Sequence, residues 1–147
     1  MGQQVSTHAD ALPDDVWRLF VDVERWPQLT KSLSEVRRLD SGPLAVGSEA
    51  TVKQSAGRQA RWRVTEMEPG RSFTWESNAG LVTIIGVHAV APDGEGSVIT
   101  LSLDLRGPLS GVVGALTGRS TVKNITMEME GFRRTAESER AGRQDVD

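Results

Sequence analysis

Apolar and polar residues alternate through most of the chain, and a helical period replaces the alternation near its two ends. Ile99, Leu101, Leu103 and Leu105 alternate with Thr100, Ser102, Asp104 and Arg106. Trp62 and Val64 alternate with Arg61, Arg63 and Thr65; Phe73, Trp75 and Ser77 alternate with Thr74 and Glu76. A period of two places each set on one face of a strand. Strands are predicted over Gln3–Ala9, Ser34–Leu39, Ser48–Gln54, Gln59–Met67, Ser72–Ser77, Leu81–Val90 and Ser97–Arg106. Asp40-Ser41-Gly42-Pro43, Ala56-Gly57, Glu68-Pro69-Gly70-Arg71, Asn78-Ala79-Gly80 and Pro92-Asp93-Gly94-Glu95-Gly96 punctuate them. Turn signals at this spacing, with no helix between the strands, predict an antiparallel meander with one apolar face that must be covered.

Helices bracket the sheet. Ala11-Leu12-Pro13-Asp14-Asp15 opens the first, since proline and acidic residues suit a first turn, and Val16, Trp17, Phe20 and Val21 form its apolar face. Asp22 caps a second, short helix through Glu24, Arg25 and Trp26, with Pro27 in it or ending it. The cover is a long helix from Pro108 to about Glu139. At about 1.5 Å per residue, thirty residues cross the whole sheet. One domain is expected over 1–140, with 141–147 a frayed tail that lacks any apolar pattern.

On the long helix, Val122, Ile125, Met129, Phe132 and Ala136 share one face. Extended backwards, that face carries Gly111, Gly114 and Gly118, with Leu109, Val112, Val113 and Leu116 nearly opposite. Glycine inside a helix costs about 1 kcal/mol relative to alanine. Either the glycines leave volume for a cavity, or the helix breaks near Gly118 and its first half turns the Leu/Val face to the core. Under the first reading, that face needs a partner chain, such as a second copy in a homodimer, or a lid.

Composition narrows the chemistry. The 147 residues are 37% hydrophobic and 25% charged, as in a globular protein. With no cysteine there is no disulfide, thiolate metal site or cysteine nucleophile, which fits a reducing compartment such as the cytoplasm. His8 and His88 are the two histidines and no HExxH occurs, so neither metal nor cofactor is expected. A net charge of −3 offers nucleic acid no overall attraction, and Arg58, Arg61 and Arg63 read as a solvated face. No apolar run reaches the roughly 18 residues of a membrane span, and no secretory signal layout opens the chain.

Several motifs occur in a telling order. They are Asp14-Asp15-Val16-Trp17, Asp22 with Trp26-Pro27, Gly42-Pro43-Leu44 with Val46-Gly47, then Trp62, Val64, Glu66 and Glu68-Pro69-Gly70-Arg71 with Phe73 and Trp75, and finally Gly107-Pro108-Leu109 before the long helix. Together they resemble the polyketide cyclase/dehydrase-like group of the START and pollen-allergen (SRPBCC) superfamily, from about Val5 to Glu137. The resemblance implies an α+β helix-grip fold: two short helices after strand 1, and a curved antiparallel sheet of about seven strands wrapped on a long C-terminal α-helix. It also implies a pocket beneath that helix. Relatives include aromatase/cyclases, lipid and hormone carriers and quinone-binding proteins, so fold alone does not choose the function.

The expected function is binding of a small hydrophobic or aromatic molecule, whether lipid, polyketide or quinone-like. The alternatives are a cyclase/dehydratase using His88 as acid/base, and an interaction module or homodimer through Leu109, Val112, Val113 and Leu116. Trp62 and Trp75 form either an aromatic wall for a flat ligand or plain core. Trp26 either guards the mouth or pins the short helices to the sheet. Val64, Ile84, Leu101, Leu103 and Ile125 complete the expected lining, with Gly114 and Gly118 widening one end. His88 shares inward parity with Ile84, Gly86 and Val90, where an imidazole can move a proton or make one hydrogen bond. Gln54, on the parity of Ala50 and Val52, is a polar contact or a solvated strand end. The chain has no tyrosine, and Arg61 and Arg63 face outward, which departs from the polar pockets of the cyclases. No GxSxG is present, and Gly94-Glu95-Gly96 lies in a hairpin, where no nucleotide fingerprint sits.

Overall fold

A computed structural model describes residues 2–146. Seven strands are present: β1 (Gly2–Ala9), β2 (Leu33–Arg38), β3 (Glu49–Gln54), β4 (Gln59–Glu68), β5 (Ser72–Asn78), β6 (Thr83–Asp93) and β7 (Gly96–Arg106). Helix α1 (Pro13–Val21), a 3-10 turn (Val23–Arg25) and α2 (Trp26–Leu29) link β1 to β2, and α3 spans Ser110–Val146. The strands form one antiparallel sheet in the order β1-β7-β6-β5-β4-β3-β2. Consecutive strands pair except at β1, which closes on the last strand while the short helices carry the chain to the opposite edge. This is the expected α+β helix-grip fold: a curled sheet gripping a long helix.

Local chemistry fixes the first helix. Pro13 occupies the first turn, and the Asp15 carboxylate accepts the Leu12 backbone N–H at 2.9 Å. Val16, Leu19 and Phe20 then fall on one buried stripe. The Trp26 indole N–H donates to the Leu19 carbonyl at 3.0 Å, tying α2 back onto α1. Two bulges adjust the sheet. In β2 the register shifts between Leu33 and Glu35, so Leu33 and Val36, three residues apart, are both buried. In β4 a shift between Val64 and Glu66 moves the inward parity onto Met67. A bulge bends its strand and strengthens the twist, which suits a sheet that wraps a helix.

The long helix decides between the two expected readings of its first half and runs longer than expected. It is continuous through Gly118, so the proposed break there is absent. It also runs past Glu139 to Val146, because its C-terminal half is clamped to the rest of the chain. Arg143 pairs with the buried Asp15, Arg25 meets Glu139 at 2.6 Å, and the Asp10 N–H donates to Glu137 at 2.8 Å. Finally, the first half does not turn its Leu/Val face to the core: Leu109, Val112 and Leu116 are exposed and Val113 is half-buried. Ile125, Met129, Phe132 and Ala136 are buried as expected, while Val122 is exposed.

Close approach explains one glycine of α3. A Cβ on the buried Gly131 would lie 2.2 Å from the Leu29 carbonyl oxygen, so α2 and α3 touch backbone to backbone there. Gly111 has open space where a Cβ would go, and at Gly118 a Cβ would meet only the Gln3 side chain, at 3.4 Å.

Candidate functional site

Three cross-strand rows on β5, β6 and β7, Phe73–His88–Leu101, Trp75–Gly86–Leu103 and Ser77–Ile84–Leu105, carry the floor of a cavity, to which His88, Leu101, Trp75, Gly86, Leu103 and Ile84 contribute. The middle row makes the room. A Cβ on Gly86 would lie 3.3 Å from the Trp75 ring and 3.7 Å from Trp62, so the missing side chain is what lets the indoles lie over the strand. Trp62 and Trp75 are tilted at 33° with ring centroids 5.3 Å apart. Ile125 of α3 closes the cavity from above. Its volume is about 130 Å3. An engineered apolar cavity of roughly 150 Å3 holds a benzene-sized molecule, so the space suits one ring or a short chain, with more body extending outward.

Most of the residues expected from sequence meet here. Trp26, Gln54, Trp62, Trp75, Ile84, His88, Leu101, Leu103 and Ile125 all line the cavity. Trp26 is not a mouth residue. It is 2% exposed, held through Leu19, and lies against Trp75 at 5.1 Å and His88 at 4.7 Å. Trp75 is also deeply buried, while Trp62 is half-buried. Three expected residues fall outside the lining. Val64 is buried core, and Gly114 and Gly118 border a separate recess of about 10 Å3 beside Gln3, Leu103 and Leu105. These two glycines therefore border a small space against β1 and β7 and do not widen the main cavity.

His88 sits in an aromatic box. Its ring stacks on Phe73 at 4.8 Å and 15°, and meets the edges of Phe20 at 5.5 Å and Phe132 at 6.0 Å. Burial pushes its pKa down to about 3, and its Nδ1 has no hydrogen-bond partner. Such an imidazole carries no extra proton at neutral pH, so it is poorly placed to act as an acid. His8 lies elsewhere, between the carboxylates of Asp93 at 2.9 Å and Asp10 at 3.1 Å, which raise its pKa.

Sequence reading missed the polar side of the cavity. Thr121, Asn124 and Glu128 of α3 line it beside Ile125, with Ser102 from β7 and the exposed Arg58 from the β3–β4 turn. The spacing i, i+3, i+7 puts the three helix residues in one row. That row adjoins the apolar one, and following only apolar positions around the helix passes it by. Burial pushes the Glu128 carboxyl up to about 7, with no charged or hydrogen-bonded neighbour contributing. Among the described residues, no three histidine, aspartate or glutamate side chains converge in a metal-binding group. Among the described residues, no helix is long and apolar enough to cross a membrane.

A curled sheet with an indole-walled cavity under a long helix defines a helix-grip protein with an internal cavity, and comparison with known proteins places it more closely. Residues 3–137 match the family described as polyketide cyclase / dehydrase and lipid transport, and the chain belongs to that family. No curated protein sequence matches significantly. Among solved structures, a protein from Thermus thermophilus is similar at 17% identity and TM-score 0.75, covering 94% of this chain and 98% of that one. The di-domain ARO/CYC StfQ from the steffimycin biosynthetic pathway aligns at 15% identity and TM-score 0.77, over 96% of this chain. The di-domain ARO/CYC BexL from the BE-7585A pathway aligns at 18% identity and TM-score 0.74, over 93% of this chain. The alignments cover 51% of StfQ and 46% of BexL, so this chain spans about half the length of either. At these identities the likeness speaks for the fold.

Proposed function

We propose that the protein binds a small hydrophobic or aromatic molecule, of lipid, polyketide or quinone-like character, in the cavity between the sheet and α3. The observation that carries this reading is the cavity left over Gly86 and walled by Trp62 and Trp75, in a family whose description includes both cyclases and lipid transport. Burial of apolar area supplies the affinity, at about 25 cal/mol per Å2, and a few polar groups fix orientation. The half-buried Ile84 lines the cavity, so Ile84→Trp places its added volume there. Binding of naphthalene, followed by equilibrium dialysis, is expected to fall at least tenfold in Ile84→Trp while the thermal midpoint stays within a few degrees. Equal binding in both proteins would show that the cavity is not the site.

Cyclase or dehydratase chemistry is the second reading, favoured by the ARO/CYC proteins that share the fold. His88 is poorly suited to it as an acid, for the reason given above. A homodimer contact on the outer face of α3 is a further proposal, carried by the exposure of Leu116 at 80% and Val112 at 60%.

A further inference from the structure

The cavity has two chemically different walls. Trp62, Trp75 and Gly86 make the sheet side flat and apolar, whereas Thr121, Asn124 and Glu128 make the helix side a hydrogen-bonding row. Among the described residues, Nδ1 of His88 is the one fully buried polar side-chain atom on this lining without a hydrogen-bond partner, and no hydrogen bond or ion pair engages the carboxyl of Glu128. Other carboxylates on the same helix are engaged: Glu130 and Glu137 both bind Arg133, and Glu139 binds Arg25. Glu128 is one turn from these pairs, half-buried, and joined to nothing among the described residues.

A half-buried carboxyl with no protein partner gives up part of its hydration for nothing in return, so its place on the cavity wall suits a partner that occupies the cavity. We infer that Glu128 selects the ligand of this site by hydrogen-bonding an oxygen, carbonyl or hydroxyl, at the edge of a flat molecule whose face lies on Trp62 and Trp75. The inference rests on the proposed ligand-binding reading and deepens it. The chemistry favours an oxygen over an ammonium group. Thr121, Asn124 and Ser102 are neutral, the lining holds a cation of its own in Arg58, and burial raises the carboxyl pKa so that a protonated form, able to donate to a carbonyl, is present near neutrality. Against a purely apolar molecule, Glu128 would stay unpaired.

The test uses two probes with one ring system, 2-naphthol and naphthalene, measured at pH 6.5 on the full chain by equilibrium dialysis. Wild type is expected to prefer the naphthol by about tenfold, the worth of one well-made hydrogen bond in a desolvated site. Glu128→Leu is expected to bring the ratio to about one while naphthalene binds as well or better. Glu128→Gln, which keeps a neutral hydrogen-bonding head, is expected to retain most of the preference. An unchanged ratio in Glu128→Leu overturns the inference, as does loss of the ratio in Glu128→Gln together with Glu128→Leu. If wild type binds neither probe, the ligand-binding reading itself fails, and naphthalene binding separates that outcome from the first.

Discussion

Two ionisable side chains face the cavity from opposite walls, and burial shifts both toward their neutral forms. His88 has a folded pKa of about 3 against an ordinary 6.5; Glu128 has about 7 against 4.5. Between pH 6.5 and 3 the unfolded imidazole holds a proton that the folded one refuses, so His88 costs stability as pH falls through that window. The cost is about 2 kcal/mol by pH 5. Glu128 does the reverse: the folded carboxyl keeps a proton that the unfolded one has released, so stability falls as pH rises from 4.5 to 7. The full effect above that range is on the order of 3 kcal/mol, reduced by the contact of Glu128 with the cavity. Between pH 4.5 and 6.5 the two slopes oppose each other, and single variants separate them. Measured by urea unfolding, the stability of His88→Phe relative to wild type is expected to improve as pH drops from 6.5 to 4.5. That of Glu128→Gln is expected to improve as pH rises from 4.5 to 7. Differences that stay flat with pH would mean that neither group is buried as described. His88 was legible in the sequence from strand parity, but its surroundings were not. Phe20, Trp26 and Phe132 reach it from three helical segments, and no local pattern reports that convergence.

At the scale of elements, strand alternation was legible because each strand has one solvated face and each turn carries its own chemistry. Gly70 and Gly107, for example, adopt φ of 78° and 110°. The bulges were not legible: Ser34 and Thr65 look like ordinary strand residues, yet the register shifts beside them. The long helix was half legible. Its buried stripe followed the period, but glycines on one face do not say whether they leave space or admit a neighbour. The structure divides them, and substitution tests the division. Gly111→Ala meets open space and is expected to gain up to about 1 kcal/mol from helix propensity. Gly131→Ala drives a methyl into the Leu29 carbonyl and is expected to lose about 1–3 kcal/mol despite the same propensity. Thermal midpoints moving in opposite directions support the packing described; a gain at Gly131 would contradict it.

The whole molecule is polarised along α3. Its C-terminal half is locked down by Arg25–Glu139, Asp10–Glu137 and Arg143–Asp15, and by Arg140 donating to the Glu95 carbonyl at 3.1 Å. Its first half lies over β1 and β7, with Leu109, Val112 and Leu116 turned to solvent. If that face joins two copies, Val112→Glu is expected to convert a dimer to a monomer in sedimentation velocity. A wild type that sediments as a monomer at high concentration would remove the dimer proposal and leave the cavity untouched. The cavity lies between these halves, under the turns of α3 that carry Thr121 to Glu128. The motif order in the sequence pointed to the fold from about Val5 to Glu137, nearly the span that matches the family, residues 3–137. The ligand was not legible, because a pocket assembled from α2, β2 to β7 and α3 has no contiguous signature.

The central claim is that this cavity holds a hydrophobic molecule, and native mass spectrometry of the purified protein tests it most directly. The account predicts a bound adduct that survives gentle ionisation, is released on denaturation into organic solvent, and is missing from Ile84→Trp prepared in parallel. A wild-type protein that flies bare, and stays bare after incubation with naphthalene or 2-naphthol, would contradict it.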